Sequence, residues 1–560
     1  MYRQKKREAV WVREIPRLGY RRIYLEPIHL MLAQPVTNVE PAAAARRKCG
    51  ARPSFAVRME RSPGRWLAIF SLVYLIAEIC QNSRRGFWFD EFITSYLADL
   101  PSISRIWPLI AQGIELNPPL PFWIAWITRH LFGGGEVLLR LPAVIGFWVM
   151  CLCLYFFVRR RSDALHGFLA LLFPLFTYTA WNANEARGYG LLLGFSGLAL
   201  LSWQLAADGV QRRLALLGLA VGIAGAVSSH YYAVYVAGAL ALGEAVRSVD
   251  RRRVDFAIWV AIAAGLSLLL VYLPLIRSAT PALRTFWTPP EPVYLADSYA
   301  GLLGPTTIVI FLFLAIAIGA AGLDRGRWQT ATLLRHELVT VLTLFAMPLA
   351  LYLSTFFVPA GFYIRYVQPV VLGAAVLLAL FVYRIAGANQ RFRNLWVTLL
   401  LWFTLFPWTI WQVAKVLLMP ISGKVFLQTL DISQQPSLPL VIDGDNDFLV
   451  CQYYGPPELR ARTFTLADTS SSIKYVGGDT ALRSLLLVQT FRDLHVVEYH
   501  EFLRAHRQFL LARAQGASWI VQKLLADGAQ IQLVQVNKDL GTFAKDRLLY
   551  RVSAVTAAAQ

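Results

Sequence analysis

Two adjacent carboxylates among aromatic residues make the most specific chemical signal in this chain. Asp90 and Glu91 lie within Gly86-Phe87-Trp88-Phe89-Asp90-Glu91-Phe92-Ile93-Thr94-Ser95, just after the first apolar run. Aromatic neighbours would bury this pair, and a buried carboxylate can act as a general acid or base. The sequence therefore predicts an acid–base centre at Asp90 and Glu91, against the simpler interpretation that the pair decorates a loop.

More polar residues occur in the later connections between apolar runs. Polar groups at membrane depth cost about 2.5–3.5 kcal/mol each, so they need partners or a water-filled cavity. For His230 a structural role fits equally well. The candidates for substrate contacts are Asn117, Glu185, Arg187, Tyr189, His230, Arg365 and Tyr366.

The elements that must position these residues are membrane helices. The chain has 560 residues, of which 56% are hydrophobic, and its mean hydropathy is +0.48; soluble domains contain about 45–50% apolar residues. The net charge of +20 comes from basic clusters between apolar runs, which is typical of cytoplasmic helix ends and argues against nucleic-acid binding. We predict eleven spans: 66–80, 137–158, 164–180, 189–207, 214–227, 231–246, 256–276, 302–323, 338–357, 366–383 and 395–418.

The apolar run at 119–132 is predicted not to span. It has only 14 residues and contains Arg129 and His130, whereas a spanning helix needs about 20 apolar residues. If the run crossed the membrane, the cluster at 159–161 would fall outside. We therefore expect a juxtamembrane helix on the outer surface, with Asp90 on the same side.

Three regions follow from this pattern. Residues 1–64 form a basic, disordered cytoplasmic extension, residues 65–419 a transmembrane catalytic domain, and residues 420–560 a small α/β domain outside the membrane. Within the last we predict helices at 448–460 and 499–514 and strands at 438–442, 484–490, 518–521, 531–536 and 547–552.

The segment with Asp443, Asp445 and Asp447 has aspartates at the spacing of a calcium-binding loop. It lacks the glycine and the terminal glutamate that such a loop has at fixed positions, so we interpret it as a solvated turn. The five cysteines form no CxxC pair and are interpreted as packing residues.

Carboxylates and arginines at an outer membrane surface suit the transfer of a sugar from a lipid-linked phosphate. A carboxylate can deprotonate the acceptor hydroxyl, and arginine can hold the departing phosphate through two hydrogen bonds. Because phosphate leaves readily, no general acid is needed, unlike in glycoside hydrolysis. Asp90 would be the base, and Arg365 or Arg187 would hold the phosphate.

Four stretches follow one another along the chain. They are Phe89-Asp90-Glu91; Asn117-Pro118-Pro119-Leu120-Pro121-Phe122 with Leu131-Phe132-Gly133 and Leu139-Arg140-Leu141-Pro142; Asn184-Glu185-Ala186-Arg187-Gly188-Tyr189; and Ile364-Arg365-Tyr366-Val367-Gln368-Pro369. Together they resemble the GT-C fold glycosyltransferases that use polyprenyl-phosphate sugars, near the bacterial protein mannosyltransferase and lipid A aminoarabinose or galacturonic acid transferase group. The resemblance implies a catalytic aspartate at Asp90 with Glu91 beside it, a juxtamembrane helix, substrate contacts near Glu185 and Arg187, and a lipid-phosphate role near Arg365. Asn117 stands where relatives commonly have histidine.

The sequence thus predicts a polytopic α-helical membrane protein of GT-C fold with about 11 transmembrane helices, juxtamembrane helices in the first outer loop and a C-terminal α/β domain. It would be an inverting glycosyltransferase of the bacterial cytoplasmic (inner) membrane, with active site and C-terminal domain outside the cytoplasm. The donor would be a polyprenyl-phosphate sugar and the acceptor a glycolipid, glycan or protein. No cofactor is assigned, and the sequence leaves open whether the protein binds a divalent metal ion. A transporter or lipid flippase is the alternative, although we find no internal repeat; an inactive scaffold is a third.

Overall fold

Apolar helices joined by short connections make up most of the described residues before residue 387. The computed structural model describes residues 55–284, 291–304, 333–358, 361–386, 410–411, 414, 437–514, 516–537 and 546–553. The helices in this part are α1 (Phe55–Arg61), α2 (Pro63–Asn82), α3 (Phe89–Ala98), α4 (Ile106–Ala111), α5 (Leu120–Phe132), α6 (Glu136–Arg159), α7 (Ala164–Leu172), α8 (Tyr178–Ala183), α9 (Tyr189–Ala207), α10 (Arg212–Ser229), α11 (Val234–Arg251), α12 (Phe256–Leu266), α13 (Leu268–Arg284), α14 (Pro292–Leu303), α15 (Arg335–Phe345), α16 (Met347–Ser354) and α17 (Val370–Ala386).

Within the described residues, five helical segments are long and apolar enough to cross a membrane. They are α2, α6, α9, α10 and the continuous segment Phe256–Thr280. The pair α15 and α16, bent by 58°, would add a sixth. The count of eleven is not confirmed, and the predicted spans 302–323 and 395–418 fall almost wholly outside the described residues.

Two predicted spans are interrupted. The run at 164–180 ends as α7 at Leu172, because Pro174 follows in a 3-10 turn at Phe173–Phe176 and lacks the backbone N–H that a continuing helix requires. The run at 231–246 starts with another 3-10 turn, Tyr231–Ala233, before α11. Residues 277–301, which lie between two predicted spans, include the end of α13 and most of α14.

Helices α6 and α9 approach each other closely through glycine. A Cβ atom added at Gly190 would lie 2.2 Å from the carbonyl oxygen of Ala143, and one at Gly146 would lie 2.3 Å from that of Gly190. Small residues allow such close backbone contact between membrane helices. This contact fixes the start of α9, and hence the preceding Arg187, against the first turns of α6.

Helix α5 confirms that the run at 119–132 is helical. It has 13 residues, so it is about 20 Å long, too short to cross about 30 Å of hydrocarbon. Its orientation along the membrane surface stays a prediction.

Ion pairs join the helix ends at the far end of α6. Arg161 donates to Glu337 at 2.7 Å and to Asp208 at 2.9 Å. Asp255 accepts from Arg212 at 2.5 Å and from Arg247 at 3.4 Å. These pairs stabilise the helix ends opposite Asp90.

The C-terminal part folds as a six-stranded sheet with helices. The strands lie in the order β3-β2-β1-β4-β6-β5. The first four are parallel to one another, and β6 pairs antiparallel with both of its neighbours, β4 and β5. The elements are β1 (Leu440–Asp443), α18 (Asp445–Tyr454), α19 (Pro457–Arg462), β2 (Thr463–Ala467), α20 (Thr469–Val476), α21 (Thr480–Gln489), β3 (Val496–Glu498), α22 (Tyr499–Ala505), β4 (Gln508–Ala514), α23 (Trp519–Ala526), β5 (Gln530–Asn537) and β6 (Arg547–Ser553).

The predicted α/β character of this part is confirmed, with errors in single elements. The strands at 438–442, 531–536 and 547–552 correspond to β1, β5 and β6. The strands predicted at 484–490 and 518–521 are wrong, since α21 and α23 occupy them, and the end of the helix predicted at 499–514 is β4. Helix α1 lies in the segment predicted to be disordered. The domain boundaries at 64 and 419 remain predictions.

Candidate active site

Helix α3 presents Asp90 and Glu91 in different directions. The helix starts at Phe89, so both carboxylates lie in its first turn, where the helix dipole favours negative charge. The backbone N–H of Trp88 faces Glu91 Oε2 at 3.4 Å, which caps the helix start. Consecutive helical side chains point about 100° apart. The two acids therefore have separate surroundings.

Glu91 is fully buried in an ion pair with Arg140 from the first turns of α6. Nε and Nη2 of Arg140 each donate to a Glu91 oxygen at 2.7 Å, and the N–H of Ala186 donates to Oε1 at 2.7 Å. Burial alone would raise the pKa of Glu91, but the charge and hydrogen bonds of Arg140 hold that pKa below its usual value. Glu91 is therefore a charged structural anchor between three segments of the chain.

Asp90 faces two other guanidinium groups. Its Oδ2 lies 3.2 Å from Nη1 of Arg365 and 3.6 Å from Nη2 of Arg187. Neither approach has hydrogen-bond geometry, so this buried oxygen accepts no hydrogen bond. Asp90 is thus charge-compensated while its Oδ2 keeps an unused acceptor position.

Each of these arginines has a second support. Nη1 of Arg187 makes a short contact with Glu115 Oε1, whose other oxygen accepts from Asn117 Nδ2 at 3.3 Å. The guanidinium carbon of Arg365 lies 5.0 Å from the centre of the Trp88 ring and 5.2 Å from that of Tyr363. Such cation–π contacts orient the guanidinium plane.

Glu185 forms a third pair next to Glu91. Its Oε1 lies 3.6 Å from Nη2 of Arg85, and the guanidinium carbon of Arg85 lies 4.6 Å from the centre of the Trp181 ring. Burial raises the pKa of Glu185 to about 7, despite the opposing charge of Arg85. Glu185 therefore changes charge in the neutral range.

Aromatic rings surround His230 beside these charges. Its ring centre lies 5.9 Å from that of Tyr189 and 5.3 Å from that of Tyr366, and its Nδ1 accepts the N–H of Tyr232 at 3.2 Å. Burial, together with the charges of Arg187 and Arg365, lowers the pKa of His230 to about 3. His230 is accordingly neutral at physiological pH.

The structure brings all nine residues predicted from the sequence into one connected group. Three members that pair with them were given no role from the sequence: Arg85, Glu115 and Arg140. Arg140 had a readable signal, an arginine inside an apolar run, because intramembrane charges need partners. For Arg85 and Glu115 no local pattern identifies the partner.

Several buried polar atoms of this group have no hydrogen-bond partner. Donors and acceptors both occur, and leaving such an atom unpaired costs about 1–3 kcal/mol. These buried atoms require hydrogen bonds from water or from a polar ligand. They are Arg85 Nη1, Trp88 Nε1, Asp90 Oδ2, Glu185 Oε2, Tyr189 Oη and Arg365 Nε.

The group does not fit a divalent metal ion. No three His, Cys, Asp or Glu side chains are arranged around an ion position in the described residues. The four carboxylates Asp90, Glu91, Glu115 and Glu185 each face an arginine instead. Guanidinium groups in this arrangement suit an anionic ligand such as phosphate.

Residues 117–276 match the family described as dolichyl-phosphate-mannose-protein mannosyltransferase. No curated protein sequence matches the chain significantly.

Among solved structures, the chain is similar to ArnT from Cupriavidus metallidurans in the apo state, with 12% identity, a TM-score of 0.50, and coverage of 87% of this chain and 98% of ArnT. ArnT from the same organism bound to undecaprenyl phosphate has 13% identity and a TM-score of 0.45, with coverage of 86% of this chain and 98% of ArnT. The oligosaccharyltransferase of Archaeoglobus fulgidus tethered with an acceptor peptide has 13% identity and a TM-score of 0.41, with coverage of 82% of this chain and 70% of that protein.

The family match and the apo ArnT match confirm the resemblance derived from the sequence. The chain is a multi-helix membrane protein of the GT-C fold, similar to the glycosyltransferases of the protein mannosyltransferase and ArnT group.

Proposed function

We propose that this protein is an inverting membrane glycosyltransferase that moves a sugar from a polyprenyl-phosphate carrier to a hydroxyl group of a cell-envelope glycolipid, glycan or protein. The single observation that carries the proposal is the position of Asp90 between Arg187 and Arg365, surrounded by unpartnered buried polar atoms. The matched family is named for a dolichyl-phosphate sugar, which has the same phosphate chemistry.

In this mechanism Asp90 is the general base. A carboxylate oxygen of Asp90 takes the proton of the acceptor hydroxyl, and the hydroxyl oxygen forms a bond to the anomeric carbon. The bond between that carbon and the phosphate oxygen breaks on the opposite face, and its electron pair leaves with the polyprenyl phosphate. Arg187 and Arg365 hold the phosphate as it gains charge.

The other members of the group orient the reactants. Glu91 has all its oxygen contacts inside the protein, so we assign it a positioning role through Arg140 rather than the catalytic role suggested by the sequence. Glu185, Tyr189 and Tyr366 offer polar groups to the sugar or acceptor. Asn117 acts through Glu115, and the neutral His230 supplies an aromatic wall.

The active site would face the outside of a bacterial cytoplasmic membrane. Helix α6 carries Arg140 near its start and Arg159 at its end; its 24 residues make it about 36 Å long, enough to cross the membrane. Basic clusters favour the cytoplasmic side, and Arg159, Arg160 and Arg161 lie at the end far from Asp90. The predicted C-terminal domain, which packs against α3, would then also be outside.

The test is Asp90→Asn in purified protein, measuring sugar transfer from polyprenyl-phosphate donors and donor binding separately. We expect transfer to fall by about 10²–10⁴-fold, the usual contribution of a general base, while the donor still binds. Asp255→Asn is the matched control, since Asp255 also bridges two arginines but at the opposite helix ends.

Full transfer by the Asp90→Asn protein would overturn the proposal. A flippase would be indicated if the same protein moved lipid between leaflets without any sugar transfer in either the wild type or the variant.

A further inference from the structure

Tyr454, at the end of α18 in the C-terminal part, reaches the segment that carries Asp90. Its hydroxyl oxygen accepts the backbone N–H of Phe87 at 2.9 Å, and its O–H donates to Glu136 Oε1 at 2.8 Å. Phe87 precedes α3 by two residues, and Glu136 is the first residue of α6. One side chain from 367 residues further along the chain thus joins both elements that hold the carboxylate pair.

The two partners of Tyr454, Phe87 and Glu136, both lie next to Arg140. Glu136 lies one helical turn before Arg140, so both side chains project from the same face of α6. The guanidinium carbon of Arg140 lies 5.3 Å from the centre of the Phe87 ring, and Arg140 also donates to the carbonyl of Gly86 at 2.7 Å. The position of Phe87 is therefore set by Arg140 from one side and by Tyr454 from the other.

The surrounding contact is extensive. The buried side chains of Phe92 and Ile93 from α3 belong to the same apolar cluster as Phe448 and Leu449 from α18. At the edge, Ser484 Oγ donates to the carbonyl of Ile114 at 2.9 Å. The C-terminal part therefore packs directly against α3 and can position that helix.

We propose that Tyr454 is a positioning residue for the transfer reaction, which rests on the function proposed above. The hydroxyl of Tyr454 fixes Phe87 and, through it, the direction in which α3 presents Asp90 to Arg187 and Arg365. Tyr454 touches neither substrate nor reacting atoms. Its removal should therefore affect the rate of the chemical step more than donor binding.

The experiment compares Tyr454→Phe with Tyr499→Phe in the full chain. Tyr499 is a matched control, because its buried ring also donates its O–H to a carboxylate, Asp527 Oδ2 at 2.9 Å, without contacting α3. For Tyr454→Phe we expect kcat to fall by about tenfold, as the loss of one hydrogen bond to a charged group would give, with the donor KM unchanged. For Tyr499→Phe we expect no change in kcat.

Hydrogen–deuterium exchange supplies a second measurement that needs no activity. In Tyr454→Phe the amide of Phe87 loses its acceptor, so exchange over residues 83–92 should become faster than in wild type and in Tyr499→Phe. Glu136→Gln retains an acceptor oxygen and should keep kcat within about twofold. Glu136→Leu removes the acceptor of the Tyr454 O–H but leaves the Phe87 N–H its own acceptor, so it should lower kcat by less than Tyr454→Phe does.

The proposal is overturned if Tyr454→Phe and Tyr499→Phe have equal kcat and equal exchange at residues 83–92. It is also overturned if KM rises while kcat stays constant. These results differ from a failure of the proposed function, which would appear as transfer by Asp90→Asn or as no transfer by wild type. In the last case, the exchange data still decide whether Tyr454 holds Phe87.

Discussion

Arg140 holds Glu91 with two hydrogen bonds of 2.7 Å in a fully buried pair, although 49 residues separate them. These hydrogen bonds join α3 to α6. They leave Asp90, the preceding residue in the sequence, as the carboxylate with an unused acceptor position. The adjacent acids therefore have different surroundings, and we propose that Glu91 holds the site together while Asp90 faces the ligand.

Glu91→Gln should reduce stability strongly. It would leave the Arg140 charge buried without its partner, a change that typically costs about 3–5 kcal/mol. The measurement is thermal unfolding in detergent, with Glu60→Gln as control, because Glu60 pairs with Arg159 at 3.4 Å in a more exposed position. A Glu91→Gln protein with wild-type stability but without sugar transfer would indicate a catalytic role for Glu91.

Arg365→Lys should weaken the handling of the donor. Lysine offers one point charge and cannot stack its head group between Trp88 and Tyr363 as a guanidinium does. We expect the donor KM to rise about tenfold, the loss of roughly 1.4 kcal/mol of phosphate binding. Arg335→Lys, at an exposed pair with Asp250, should leave KM unchanged. An equal KM in both variants would remove Arg365 from the phosphate site.

Glu185→Gln should flatten the dependence of stability on pH. Burial raises the pKa of Glu185 to about 7 in the folded protein, above the value of about 4.3 that glutamate has in an unfolded chain. Between these values the folded state keeps a proton that the unfolded state has lost, so this group stabilises the protein fully below about pH 4 and the contribution disappears as pH rises through 7.

The check is the melting temperature of wild type and Glu185→Gln from pH 5 to 8. The wild type should lose more stability than the variant over this range, by at most about 3 kcal/mol. Parallel curves would mean that Glu185 is ionised in the folded protein throughout.

Gly190→Ala should displace the start of α9. The new Cβ would overlap the carbonyl oxygen of Ala143, and overpacking of this kind usually costs about 1–3 kcal/mol. Transfer should fall as well, because Arg187 precedes the contact by three residues. Gly238→Ala is the matched control, since its Cβ would meet no atom within 4 Å. Equal melting temperatures would show that the two helices can separate freely.

Several of the spans were predictable because each depends on local composition. Long apolar runs such as 137–158 and 189–207 correspond closely to α6 and α9. Polar residues at the ends of those runs had to meet, because the connections on one side of a membrane lie together. Arg85 and Glu115 could not be assigned, since their pairing depends on the three-dimensional approach of α9 and the first loop.

The errors in the C-terminal part have a physical cause. Short apolar runs are ambiguous between strand and helix, and 484–490 is one of them. The buried residues of α21 include Leu482, Leu485 and Val488, whose spacing of three indicates a helix once the window starts earlier. Ser518 caps α23 by accepting the N–H of Val521 at 3.0 Å, a helix-start signal that the strand prediction overlooked.

The two guanidinium groups beside Asp90 imply an electroneutral reaction, if Asp90 is the base. Protonation would remove one negative charge from Asp90 while the departing carrier changes from a phosphodiester to a phosphomonoester and gains one. Arg187 and Arg365 would exchange one anion for another, and the total charge of the buried region would stay constant. An uncompensated charge in such surroundings costs several kcal/mol, and Arg187 and Arg365 would supply the counter-charge that the product requires.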